Sequence, residues 1–234
     1  MMSPDELLYH SLCSIQGEFI NLRASMEEQR TIKAEYVLRS LVKIDSELET
    51  WASCLPVSWA YSTLPCIPGE NFYSTTFYMH SNYRNATIWN EYCTTRLLVN
   101  DLLLNSLDHC LLTRSKCEER IFHTLQRVCN DVCANAPYFL GRVKGLPMFD
   151  RSLGGYYFLW SLFICACMPR ISDYQRSWAT KQLKIIGHEM GINLALLLAD
   201  LMEKKPHLVH GGGSGANLPK LVLYDHVPKI LFSG

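Results

Sequence analysis

The sequence has no C-x-x-C pair, no run of lysines and arginines, no repeat of fixed period and no apolar stretch long enough to span a bilayer. Each absence closes a class of function. Without paired cysteine spacings, the ten cysteines, scattered from Cys13 to Cys167, do not read as a closed zinc site. Lys and Arg number 22 against 22 Asp and Glu, for a formal net charge of zero, so no direct grip on a nucleic-acid backbone is expected. The lack of a period excludes a solenoid. The longest uncharged stretch lies between Arg151 and Arg170, and its strongly apolar part is only Tyr156–Met168. A spanning helix needs about 20 such residues, so this segment is expected to be a buried core helix and no membrane is expected as a partner. The opening residues Met-Met-Ser-Pro-Asp-Glu have neither a basic nor an apolar leader region, which points to an intracellular chain with reduced thiols. Charged residues are also scarce, at 19%, against 48% apolar residues, which excludes disorder for most of the chain and allows a real core.

Helical signals fill most of what remains. Ser3-Pro4-Asp5-Glu6 forms a capping box with proline at the first helical position. Leu8, Leu12, Ile15, Phe19, Leu22 and Met26 follow as one apolar stripe. Val37, Leu41, Ile44, Leu48, Trp51 and Leu55 form a second, ended by Pro56, and the two stripes suit a helical hairpin. Ser25-Met26-Glu27-Glu28 either marks the break between them or lies within one long helix. Val57 to Asn71 reads as an irregular connector, with helix resuming near Phe72 and running through Ile88, Tyr92, Leu97 and Leu103. Ser115-Lys116-Cys117-Glu118 caps a further helix that Pro137 is expected to end, and Gly141 to Gly155 reads as a loop. Ser172 caps another helix, and Asn193–Lys204 supplies the last. The expected fold is all-α: an irregular bundle of about seven helices around the apolar Tyr156–Met168 helix. One domain is expected over residues 1–206, then a glycine-rich linker over 207–217 and a short tail over 218–234.

No catalytic, cofactor or metal residues emerge from the motifs. Cys129 and Cys133 lie one turn apart, but no second ligand pair accompanies them, so they read as core. His188-Glu189 opens a metalloprotease pattern that fails at Ile192. His10 with Cys13, and His207 with His210, are spaced for one helix face and read as ordinary positions. Gly211-Gly212-Gly213-Ser214-Gly215-Ala216 fits a dinucleotide fingerprint formally, but no strand precedes it and Pro219 follows at once. Asn85-Ala86-Thr87 matches a glycosylation acceptor by chance in an intracellular chain. No pair of carboxylates is set for acid–base work. An enzyme is therefore not expected.

Three blocks carry a family resemblance. The first joins Leu48, Trp51, Leu55-Pro56 and Trp59-Ala60-Tyr61 to Tyr83, Ile88-Trp89-Asn90-Glu91-Tyr92 and Arg96. The second runs from Ile121 through Val132-Cys133-Ala134-Asn135-Ala136-Pro137-Tyr138-Phe139-Leu140-Gly141. The third is Gly154-Gly155-Tyr156-Tyr157-Phe158-Leu159-Trp160-Ser161-Leu162-Phe163, then Trp178, Leu183, Ile186-Gly187, Met190-Gly191-Ile192 and Ala195–Ala199. In order and spacing, over roughly residues 40–204, this resembles the C-terminal regulatory region of fungal-specific transcription factors of the zinc binuclear cluster class. Cys93 stands where the family often has Arg, and Ser161 where Pro is common. The zinc cluster itself has no counterpart here, so zinc would enter only through a cysteine cluster upstream of Met1.

The resemblance implies a nuclear, all-helical regulatory domain controlling a metabolic or secondary-metabolite gene set. It would act through effector sensing or through contacts with transcriptional co-regulators, a DNA-binding partner or a second copy of the chain. Its motif residues, Trp89, Asn90, Arg96, Pro137, Tyr138, Gly141, Gly187 and Gly191, are read as structural: helix ends, close packing and, for Arg96, an ion pair with a partner not visible in sequence. The five tryptophans Trp51, Trp59, Trp89, Trp160 and Trp178 read as core or as the lining of a helix-enclosed pocket. A different class stays open beside this: an all-α small-molecule binding protein or enzyme with its site between helices.

Overall fold

A computed structural model describes residues 3–28, 33–66, 72–107, 114–143 and 151–204. The expected linker and tail, with His207, His210 and the Gly211–Ala216 run, lie outside the described residues. Helix α1 spans Pro4–Glu28 and opens with the expected capping box: the Ser3 amide donates to Glu6 Oε2 at 2.7 Å and the Glu6 amide donates to Ser3 Oγ at 3.2 Å. Helix α2, Ala34–Ser53, returns antiparallel to it. Lys43 pairs with Glu18 at 2.8 Å, and Trp51 Nε1 donates to the Leu8 carbonyl at 2.9 Å. Ser25-Met26-Glu27-Glu28 lies wholly inside α1, so the break falls after it. Both apolar stripes are buried in the molecule's own core rather than left for another protein.

The connector is more ordered than its prolines suggest. A 3-10 turn at Val57–Trp59 leads into strand β1, Ser62–Pro65, which pairs antiparallel with β2, Thr76–Met79. Pro65 is tolerated because each strand of a two-stranded ribbon is an edge. The expectation of helix from Phe72 is thus corrected. Phe72-Tyr73-Ser74-Thr75-Thr76-Phe77-Tyr78-Met79 is rich in β-branched and aromatic residues, and α3 starts only at Tyr83, where the Asn82 side chain accepts the Asn85 amide at 2.8 Å.

Helix α3, Tyr83–Ser106, packs on α1, α2 and β2's neighbour α4, Arg114–Phe139, as well as on α5, Arg151–Cys167. Ser115 lies in the first turn of α4 rather than before it. Helix α5 touches α3, α4, α6 (Asp173–Met190) and α7 (Asn193–Lys204), and every residue from Phe158 to Met168 is buried. The bundle therefore has the expected enclosed apolar helix and a second enclosed helix, α3, whose polar composition disguised it. Seven helices occur among the described residues.

Two further corrections concern helix ends. Pro137 does not end α4; it sits inside, two residues before the end. What stops α4 is Gly141 at φ 62, with the Arg142 amide bonding to Pro137 O at 3.0 Å and the Gly141 amide to Tyr138 O at 3.4 Å, a left-handed glycine cap. Gly154 and Gly155 belong to α5 rather than to a loop. A Cβ on Gly154 would collide with the Phe139 carbonyl oxygen, and one on Gly155 with Met190 Sδ, so these glycines let α5 close on α4 and α6.

Candidate functional site

Helix α3 carries an unusual density of polar groups into the core. Asn90, Glu91, Thr94, Thr95, Arg96, Asn100 and Asp101 are all buried. Most are matched. Thr94 and Thr95 hydroxyls donate to the carbonyls one turn back, Gln16 Nε2 donates to Thr95 Oγ1 at 3.0 Å, and Thr94 shares a 2.8 Å hydrogen bond with Ser161. Asn90 Oδ1 and Glu91 are exceptions, and Glu91 is the charged one. Its Oε2 has no hydrogen-bond partner among the described residues, and burial pushes its carboxyl up to about 7. Asp101 is pushed up to about 6 by burial, against the opposing charge of Arg23.

Arg96 is the hub of this helix. Its side chain is 3% exposed, Nε pairs with Asp45 Oδ1 at 3.2 Å, Nη2 with Glu49 Oε1 at 3.2 Å, and Nη1 donates to the Tyr92 hydroxyl at 2.7 Å. Asn100 Nδ2 adds a 2.7 Å bond to the same Asp45 oxygen. Burial works against the guanidinium's charge, but Tyr92 and Asp45 outweigh it and hold the group above its ordinary pKa. The partner expected for Arg96 is thus within the chain, on α2.

The guanidinium of Arg96 also forms the floor of a cleft of about 340 Å³ between α2, α3 and α4, lined by Glu49, Arg96, Arg120, His123, Thr124 and Arg127. The four α4 residues recur at i, i+3, i+4 and i+7, which places them on one side of that helix. Arg120, His123 and Arg127 are exposed. Their spacing was the available signal, but nothing in it says that a buried arginine from α3 closes the space behind them.

The tryptophans do not gather around one pocket. Trp51, Trp59 and Trp89 join Tyr92 and Tyr61 in one aromatic cluster, with Trp89–Tyr92 centroids at 4.8 Å and Trp51–Tyr92 at 5.4 Å. Trp178 packs on Tyr73, and Trp160 on Phe163, elsewhere in the bundle. They are core. Of the other motif residues, Asn90 Nδ2 reaches the Tyr157 carbonyl at 3.4 Å, and Tyr138 meets His80 edge-on at 5.5 Å. Gly187 lies against Leu196, and Gly191 takes φ 72 at the α6–α7 turn. These two glycines are remote in role from the Arg96 network: they shape a helix junction.

His80 is buried, its Nε2 lies in a 2.8 Å hydrogen bond with Asn135 Oδ1, and burial lowers its pKa. Nearby, the Tyr78 hydroxyl donates to Asp131 Oδ1 at 2.8 Å. Cys129, Cys133 and Cys165 meet between α4 and α5, with Cys165 Sγ 3.8 Å from Cys129 O. The described cysteines are free, and burial raises the Cys133 thiol well above its ordinary pKa, the condition of an inert core thiol. No group of three His, Cys, Asp or Glu among the described residues is arranged to hold a metal ion, and no described helix is long and apolar enough to cross a membrane. Asn85, of the glycosylation pattern, is buried. Comparison with protein-family models, with curated proteins and with solved structures returns no match.

Proposed function

We propose that this chain is the regulatory domain of a transcriptional regulator of the fungal-specific type, acting in the nucleus on a metabolic or secondary-metabolite gene set. It works through transcriptional co-regulators, a DNA-binding partner or a second copy of itself, and carries out no catalytic step. One observation supports this above the others. The three sequence blocks of the resemblance lie far apart in the chain, yet they supply one continuous piece of core. Asn90 of the first bonds to Tyr157 of the third at 3.4 Å, Tyr83 of the first meets Phe139 of the second at 5.7 Å, and Phe139 stacks on Phe158 of the third at 4.9 Å. Blocks that pack on one another in this way belong to one domain core, as the resemblance implies.

The reading is tested by fusing the full chain to a heterologous DNA-binding module and measuring a reporter. Transcription raised or lowered severalfold relative to the module alone is expected. A reporter indifferent to the fusion, with the fused protein present and nuclear, overturns it. A second reading, an all-α small-molecule binding protein, is favoured by the cleft over Arg96. The two readings meet if the domain senses an effector.

A further inference from the structure

We propose that the cleft between α2, α3 and α4 binds a small molecule through a doubly charged oxyanion, either a phosphoryl group or a pair of carboxylates. The inference deepens the effector-sensing part of the proposed function and rests on it for its biological meaning, while the binding itself is a property of the cleft. Three observations carry it. The first is volume: about 340 Å³ of concave space, at the small end of the range that ligand sites occupy.

The second is charge. In a chain of zero formal net charge, the lining offers three guanidiniums, an imidazole and a hydroxyl against the single carboxylate of Glu49. Arg96 is already matched by Asp45 and Glu49. Arg120 and Arg127 have no carboxylate within ion-pair distance among the described residues, whereas Arg23, Arg39, Lys43, Lys184 and Lys204 each have one. Asp131, one turn beyond Arg127, accepts a bond from the Tyr78 hydroxyl instead. Two forks about two turns apart on one helix thus line a concave space without a direct ion-pair partner among the described residues, Asp131 acting on Arg127 only through its charge, and guanidinium forks match phosphate and carboxylate oxygens in geometry as well as charge.

The third is rigidity at the back of the site. Arg96 is fixed from three directions by Asp45, Glu49 and Tyr92, so the back of the cleft is already ordered by the fold, and its charge being matched there leaves Arg120 and Arg127 to meet an entering anion. Thr124 adds a hydroxyl on the same side as the two free arginines. A merely solvated arginine face has no such floor.

Isothermal titration of the full chain tests the proposal, with sodium pyrophosphate in one arm and sodium malonate in the other, each against sodium chloride at matched ionic strength. Saturable binding beyond chloride is expected, and the stronger arm identifies the phosphoryl or the dicarboxylate source. Arg120→Gln and Arg127→Gln, exposed changes that leave the core alone, each weaken it by about tenfold. Glu49→Gln removes the one lining carboxylate charge and tightens it, while Arg39→Gln, outside the cleft, leaves it unchanged. The proposal is overturned if neither anion exceeds chloride, or if both arginine variants bind within about twofold of the parent, less than a single charged contact supplies. Failure here with an active reporter fusion removes the anion site alone. Anion binding with a silent reporter removes the transcriptional reading and keeps the site.

Discussion

Two helical glycines respond to the same substitution with opposite signs, because a methyl group has somewhere to go in one and not in the other. A Cβ at Gly154 meets the Phe139 carbonyl oxygen, a backbone atom that cannot swing away, so Gly154→Ala is expected to cost about 1–3 kcal/mol in denaturant unfolding. A Cβ at Gly17 meets nothing within 4 Å, and Gly17→Ala is expected to stabilise α1 by about 0.5–1 kcal/mol. At Glu91 the argument is electrostatic. Burial raises its carboxyl to about 7, so between its ordinary value near 4.5 and about 7 the folded chain holds a proton that the unfolded chain has lost. Stability therefore falls as pH rises through that window and levels off above it, with Asp101, raised to about 6, adding to the same slope. Glu91→Gln is expected to flatten this slope and to raise the urea midpoint at about pH 8, by an amount on the order of 1–3 kcal/mol in stability. An unchanged pH profile in the variant would sink the assignment. Arg96→Met leaves Asp45 buried with only Asn100 beside it, and a loss of about 3–5 kcal/mol is expected. Adding Asp45→Asn should return part of that loss, a coupling readable in a double-mutant cycle.

At the scale of elements, helix boundaries divide by the range of the forces that set them. Caps are local, and the sequence shows them: Ser3 with Glu6 at α1, and Ser172 at α6, whose Oγ accepts the Gln175 amide at 3.1 Å. Ser172→Ala is accordingly expected to lower stability by about 1 kcal/mol, measured as a drop in thermal midpoint. The stops misread from sequence are those set by distant partners. Pro137 looks like a terminator because it lacks an N–H, yet the last turn of a helix can do without one donor, and packing of Tyr138, Phe139 and Leu140 in the core carries the helix past it. Gly154 and Gly155 look like a loop because glycine is a poor helix former. They are helical because neighbours on α4 and α6 approach too closely for any side chain. From Phe72 the chain does not yet resume helix, because the β-branched and aromatic content of this segment and the pairing offered by Ser62–Pro65 decide for a strand at Thr76–Met79.

Across the whole molecule, one contiguous set of buried residues runs from Leu12 on α1 to Met202 on α7. The hairpin of α1 and α2 has no core apart from that set; it closes on α3 through the Arg96 pairs and the Trp51–Tyr92 contact. Unfolding is therefore expected to be a single cooperative event, with tryptophan fluorescence and far-ultraviolet circular dichroism giving superimposable transitions. Two separated midpoints would show instead that the hairpin unfolds on its own.

The helical class, the two apolar stripes of α1 and α2, the enclosed Tyr156–Met168 segment and the caps at Ser3 and Ser172 are legible along the chain. These follow from periodicity and from hydrogen bonds between residues a few positions apart, which a linear reading can see. The burial of α3, the pairing of Arg96 with Asp45 and Glu49, and the cleft that Arg120 and Arg127 line emerge with the packing of the helices. The reason is physical: a polar helix can be enclosed when each charge meets its complement from a distant part of the chain, and pairings across 51 residues leave no mark in local spacing.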